Sequence, residues 1–158
     1  MMLSIKELDR ITWDLFSIYI RLRDCNEQGI GFCCTCHKPI YWLYADAGHY
    51  ENRACKLIKY DIRNVHLQCK FDNRLREGMK DRYSDFIVAK YGNKIKQELN
   101  MKAKKFHKIT AFELIAIFNT YYREIKDTQL LDAKKRINAL VKRFEKAGGT
   151  INNNLTIK

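Results

Sequence analysis

The sequence predicts an α+β fold, in which a small ββα unit sits among several α-helices. Two observations predict it. Most of the chain carries apolar residues at helical spacing. Residues 30–77 differ: they hold five of the six cysteines, three of the four histidines and the only proline. The 158 residues fit a single domain with room for one proper core. An apolar content of 46% excludes a disordered or collagen-like chain.

The elements follow in order. Ser4-Ile5-Lys6-Glu7 reads as a capping box. Behind it Leu8, Ile11, Leu15, Phe16, Ile18 and Tyr19 recur at helical spacing, which predicts a helix over about 5–24 in an N-terminal region, 1–27. Trp13, Phe16 and Tyr19 read as core. A polar turn, Asn26-Glu27-Gln28-Gly29, ends it. The central region, 28–92, opens with a β-former run at 40–44 and a second strand at 64–68. A helix then starts near Asp72, which can cap it. Tyr83, Phe86, Ile87 and Tyr91 continue helically to Gly92. The C-terminal region, 93–158, contains a capping box at Thr110-Ala111-Phe112-Glu113, a helix behind it, and a last helix over about 129–146 that stops at Gly148-Gly149. The tail, 150–158, reads as frayed.

The net charge is +12 and the pI is near 9.5, which points to a polyanion, nucleic acid first and an anionic membrane surface second. Residues 1–92 carry +3 and residues 93–158 carry +9. Two clusters stand out: Lys102, Lys104, Lys105, His107 and Lys108, and then Lys134, Lys135, Arg136, Lys142 and Arg143. They are the candidate phosphate contacts. No apolar run approaches the ~20 residues a bilayer span needs. The charged first ten residues do not read as a secretion signal, so a cytoplasmic protein is expected.

In a chain without an export signal the cysteines read as metal ligands. Cys33 and Cys36 form a Cys-x-x-Cys pair, and Cys69-Lys70-Phe71-Asp72 supplies a second half. The expected site is a structural Zn²⁺ held by Cys33, Cys36, Cys69 and Asp72, with His37, His66 or Cys34 as alternatives for the fourth ligand. Cys25 and Cys55 read as structural. Between the half-sites lies Asp46-Ala47-Gly48-His49-Tyr50. Asn64 opens the second strand and Asn73 the helix. The order strand, His, loop, Asn, strand, Cys-x-x-Asp, Asn, helix is a ββα-metal arrangement.

These stretches resemble the HNH nucleases, and more closely the phage lambda NinG (Rap) recombination endonucleases. The likeness rests on residues 16–24, Cys33-Cys34-Thr35-Cys36 with Lys38-Pro39, Asp46-Ala47-Gly48-His49-Tyr50, and Asn64-Val65-His66-Leu67-Gln68-Cys69-Lys70-Phe71-Asp72-Asn73-Arg74. It covers roughly residues 8–125. One departure is Asp72, where the family has Cys. The resemblance implies a structure-specific DNA endonuclease acting on branched recombination intermediates such as Holliday junctions and D-loops, leaving 5′-phosphate and 3′-hydroxyl ends. It implies His49 as general base, Asn64 as the residue orienting it, and Asn73 as a ligand of a catalytic Mg²⁺ or Mn²⁺. Arg53 can clamp a phosphate, and Asp46 can add a carboxylate. The implied partners are branched DNA, phage recombination proteins and a second copy of the chain in the host cell, with the N-terminal helix as candidate dimer surface. The competing expectations are an HNH nickase of general or sequence-preferring duplex activity and a non-catalytic zinc module that binds DNA.

Overall fold

The computed structural model describes residues 4–52 and 54–152. Apolar spacing and capping chemistry set the helices. Helix α1 (Ile5–Arg23) starts at Ser4, whose Oγ accepts from the Glu7 N–H at 3.3 Å. The strands are β1 (Ile30–Phe32), β2 (Pro39–Tyr41), β3 (Ala45–His49) and β4 (Val65–Cys69). The short helix α2 (Lys56–Lys59) lies between β3 and β4. Then come α3 (Lys80–Tyr91), α4 (Asn93–Ala103), α5 (Ala111–Ile125) and α6 (Leu131–Lys146). Among the described residues no helix is long and apolar enough to cross a membrane.

Two compact units result. One comprises residues 1–19 and 109–158, the other residues 20–108. Residues 93–108 therefore group with the cysteine-rich part, and the units cut across the three regions drawn from the sequence.

In the first unit Leu8, Ile11, Leu15, Phe16 and Ile18 of α1 are buried, as are Leu114 and Phe118 of α5 and Ile137 and Phe144 of α6. The Phe118 and Phe144 rings stack 3.7 Å apart. The apolar face of α1 is thus covered within the chain, which removes it as the expected dimer surface. Thr110 caps α5 reciprocally: its Oγ1 accepts from Glu113 N–H at 3.2 Å, and the Glu113 carboxylate accepts from Thr110 N–H at 2.8 Å. The start of the tail is held, contrary to the frayed end expected there. Buried Asn119 donates to the Thr150 carbonyl at 2.9 Å and accepts from Asn152 N–H at 2.7 Å. Residues 153–158 lie outside the described residues.

In the second unit β1 pairs with β2 and β3 with β4, both antiparallel. The expected strand at 40–44 is corrected. Only Pro39–Tyr41 is extended, and Trp42–Tyr44 closes into a 3₁₀ turn. The partner of β4 is Asp46-Ala47-Gly48-His49 itself, from Ala45 opposite Cys69 to His49 opposite Val65. Its low β-propensity hides it in the sequence, and burial between neighbours overrides that propensity. Gly48 is required there, because a Cβ would collide with the Gln68 side chain. The expected helix from Asp72 is also interrupted. Phe71–Leu75 forms one wide, π-type turn. Glu77, Gly78 and Met79 then all adopt positive φ, reversing the chain before α3. Asp72 caps nothing, since its carboxylate is turned toward the cysteines.

Thr110→Ala should destabilise the chain by about 1 kcal/mol in urea denaturation, because the Oγ1 that accepts from Glu113 N–H is lost while the backbone N–H of residue 110 remains on the Glu113 carboxylate.

Candidate metal centre and active site

The Cys33–Cys36 knuckle is built from backbone hydrogen bonds. Cys33 N–H donates to Lys38 O at 3.0 Å, and His37 N–H to Cys33 O at 2.9 Å. His37 takes φ +58°, the left-handed conformation that turns the knuckle. Cys34 N–H donates to Leu67 O at 3.0 Å, tying the knuckle to β4. The wide turn after β4 brings in the remaining donors. The ligand atoms of Cys33, Cys36, Cys69 and Asp72 all lie within 4.8 Å of one another. The Sγ atoms of Cys36 and Cys69 are 3.8 Å apart. Two thiolates bound tetrahedrally at ~2.3 Å from zinc are separated by about that distance, so the donor set fits Zn²⁺.

Hydrogen bonds behind the donors aim them. Thr35 Oγ1 donates to Asp72 Oδ2 at 2.7 Å and accepts from Gln68 Nε2 at 3.3 Å. Cys69 N–H points at Cys33 Sγ and Asp72 N–H at Cys69 Sγ, each 3.3 Å away. As free thiols Cys36 and Cys69 are raised chiefly by burial, Cys36 to about 12. For Cys33 burial also raises the thiol, but the N–H groups of Cys69, Cys36 and Thr35 lower it, and the net direction is down. Loading the site therefore releases protons. The alternative fourth ligands are used elsewhere or lie outside the cluster: His66 binds two tyrosines, Cys34 bonds Tyr83, and His37 is not among the converging donors.

His49 ends β3 and is half-buried. Its Nε2 lies 3.1 Å from Lys59 O. A carbonyl only accepts, so in the neutral ring Nε2 carries the proton and Nδ1 is the basic nitrogen. Asn64, fully buried, fixes the loop that follows. Its Oδ1 accepts from Glu51 N–H at 2.7 Å, and its Nδ2 donates to Glu51 O at 3.0 Å and Ile58 O at 3.2 Å. Tyr50 N–H donates to Asn64 O at 2.8 Å. His49 and Asn64 thus meet through the backbone. Asn73 instead reaches the middle of β3, donating through Nδ2 to Asp46 Oδ2 at 2.9 Å. Arg74 grips the same carboxylate at 2.7 and 2.8 Å. Burial raises Asp46, but Arg74 and Asn73 outweigh it and keep the carboxyl below its ordinary range. Arg53 lies outside the described residues.

Several positioning residues are missed by sequence reasoning. His66 is completely buried, with Nδ1 at 3.2 Å from the Tyr83 hydroxyl and Nε2 at 2.9 Å from that of Tyr91. The Tyr83 hydroxyl donates to Gly48 O at 2.7 Å. It must therefore accept from His66 Nδ1–H, and Tyr91 must donate to Nε2. This relay braces the peptide just before His49. Burial lowers the His66 imidazole to about 3, so it is neutral at physiological pH. Arg23 and Asp24 anchor β4 from the other side. Arg23 donates to Val65 O and Ile62 O, and Asp24 accepts from Leu67 N–H, each at 2.9 Å. Their only signal was membership in the stretch 16–24.

Of the basic candidates, Lys104, Lys105, Lys108, Lys134, Lys135 and Arg136 are exposed. Lys102 is half-buried in an internal ion network, 3.4 Å from Asp61 and 3.2 Å from Glu98.

Helices flanking a two-stranded sheet with a Cys₃Asp cluster at its end define an α+β chain with an HNH-like ββα unit. Residues 4–130 match the family described as "Bacteriophage Lambda NinG protein", and the chain belongs to that family. Relatives include "Protein ninG" of Salmonella phage P22, 31% identical over 110 residues, which are 69% of this chain and 51% of that protein. "Protein ninG" of Escherichia phage 933W is 30% identical over 110 residues, 69% of this chain and 52% of that one. The chain therefore spans about half the length of the curated relatives it matches. No solved structure matches it.

Thr35→Val should weaken zinc affinity about 10–100-fold in chelator competition, because Asp72 loses the group that orients it. His66 generates a pH dependence of stability. Its folded pKa of about 3 lies below its ordinary 6.5, so the unfolded chain takes up the proton first as pH falls. The associated stability is complete above 6.5 and lost progressively toward 3. Between pH 7.5 and 5 this amounts to about 2 kcal/mol. Denaturation of the wild type and His66→Gln at both pH values should show that component only in the wild type.

Proposed function

We propose that this chain is a metal-dependent endonuclease that cuts branched DNA, such as Holliday junctions and D-loops formed in recombination. The observation that carries the reading is the setting of His49. Its Nε2 is held on the Lys59 carbonyl and its loop is locked by Asn64, so Nδ1 is the nitrogen that can take a proton. An ordinary imidazole titrates near pH 6.5, which suits a general base at neutral pH. In this mechanism Nδ1 removes a proton from water, the oxygen attacks phosphorus, and the bond to the 3′-oxygen breaks as that oxygen takes a proton from solvent. The 5′-phosphate and 3′-hydroxyl ends result.

Asn73 keeps its amide nitrogen on Asp46, which leaves its oxygen as the donor atom toward a catalytic Mg²⁺ or Mn²⁺. When bound, that ion supplies charge neutralisation at the scissile phosphate. Zinc held by Cys33, Cys36, Cys69 and Asp72 would be structural, because four protein donors suffice for a tetrahedral set. Lys104, Lys105, Lys108, Lys134, Lys135 and Arg136 are the exposed cations for the DNA backbone. Membership of the NinG family and the HNH-like cluster support a nuclease function.

A labelled four-way junction, a fork and a linear duplex of matched sequence test this with Mg²⁺, Mn²⁺ or EDTA. The expected result is metal-dependent cutting near the branch, reduced at least ~100-fold in His49→Ala. Equal cutting of all three substrates would reassign the chain to general HNH duplex cleavage. Salt-sensitive binding without any cutting by the wild type would make it a DNA-binding zinc module.

A further inference from the structure

The turn that carries Asp72 and Asn73 also carries two large apolar side chains that face water. Phe71 is 53% exposed and Leu75 is 73% exposed. They are four residues apart and so lie on one side of a helical turn. Scattered exposed apolar residues need no explanation, but these two share one rigid support. Asp72 N–H is held on Cys69 Sγ, Asp72 O accepts from Gly78 N–H at 2.8 Å, and Asn73 and Arg74 grip Asp46. The turn therefore presents its tip in one orientation.

Around the tip basic side chains outnumber acidic ones: Lys70, Arg74 and Arg76 are exposed against Glu77, and Arg76 also lies 3.9 Å from the Asp72 carboxylate. Lys70 and Arg76 are exposed on either side of it, and the Arg76 guanidinium lies 4.7 Å over the Phe71 ring. An apolar point inside a cationic collar matches a polyanion that offers an apolar face within reach of its charges. Nucleic acid offers that combination where base stacking is interrupted, and an intact duplex keeps its base faces covered. Apolar side chains inserted at base steps are a general device for unstacked or kinked DNA, and aromatic rings stack on any exposed base.

We propose that Phe71 and Leu75 form a wedge that stacks on bases left unpaired or unstacked at a branch point, with Lys70 and Arg76 on the flanking phosphates. The wedge is the part of the chain that favours branched over linear DNA. This inference rests on the reading of the chain as a branch-directed nuclease. It places the discriminating contact on the same turn as Asn73, two residues to either side of the amide offered to the catalytic ion.

The test uses binding and no cleavage. The full chain, zinc-loaded and in EDTA-free buffer without Mg²⁺ or Mn²⁺, is titrated with a four-way junction and a matched linear duplex, each carrying 2-aminopurine at the branch or the equivalent position. The wild type should prefer the junction and change the 2-aminopurine fluorescence. In Phe71→Ala/Leu75→Ala the junction-over-duplex affinity ratio should fall about tenfold and the fluorescence change should be lost. Zinc content and far-ultraviolet circular dichroism should stay as in the wild type, since both side chains are exposed. Phe71→Trp should retain preference and fluorescence response. An unchanged ratio in the double Ala variant, a loss that Phe71→Trp shares, or a wild type without junction preference would each overturn the inference. Because the readout is binding, a chain that grips junctions through the wedge but never cuts would defeat the nuclease reading and leave this one standing. A chain that cuts junctions with the wedge deleted would do the reverse.

Discussion

The convergence of Cys33, Cys36, Cys69 and Asp72 is the constraint on which the rest of the second unit depends. It brings two segments 36 residues apart to one point. The knuckle is tied to β4 through Cys34, and β4 carries β3 by antiparallel pairing. The wide turn hangs from the same donors. One packed cluster of the unit is Cys34, Tyr50, Ile58, Tyr83, Ile87 and Leu99, and Ile20, Trp42, Val65 and Leu67 are buried as well. An ion held by the four donors would add to that core, because metal binding to a site absent from the unfolded chain is itself folding free energy.

From that anchor the site is braced by buried polar chains. Gln68 and Thr35 lead to Asp72. Tyr91, His66 and Tyr83 lead to Gly48. Asn64 leads to the peptide after His49. The Tyr91–His66–Tyr83 and Asn64 bonds each have a defined donor and acceptor, and satisfied buried polar chains of that kind rigidify what they hold; Gln68 donates through Nε2, while its buried Oε1 has no partner among the described residues. His49 is thus supported on both sides in sequence, at residue 48 and at residue 51, while its own Nε2 is fixed.

Local patterns were legible in the sequence, and long-range ones were not. The Cys-x-x-Cys and Cys-x-x-Asp pairs can be read because ligand spacing is set by one turn of chain. The Thr110 capping box and the stop at Gly92, with its φ of +86°, are equally local. The strand containing Asp46 and His49 was displaced by one element, because its residues are poor β-formers whose extended state depends on partners in β4. The break at residues 76–79 was invisible, since Glu77 and Met79 give no hint of positive φ. His66 could be seen only as a histidine near Asn64. Its role needed Tyr83 and Tyr91, 17 and 25 residues further on. The apolar spacing of α1 revealed an amphipathic helix but not that its own chain covers the face.

The metal cluster holds three thiols and one carboxylate, and three is an odd number. Carboxylates do not take part in disulfide exchange, so oxidation of the metal-free cluster can close at most one bond. Cys36 and Cys69, 3.8 Å apart, are the two half-buried sulfurs of the cluster, whereas Cys33 is fully enclosed. Closing that bond would take away two of the four donors at once and leave Cys33 and Asp72 without a partner ligand. An oxidised chain would keep a covalent link between the same two segments, yet it could not regain its ion until a reductant opened the bond.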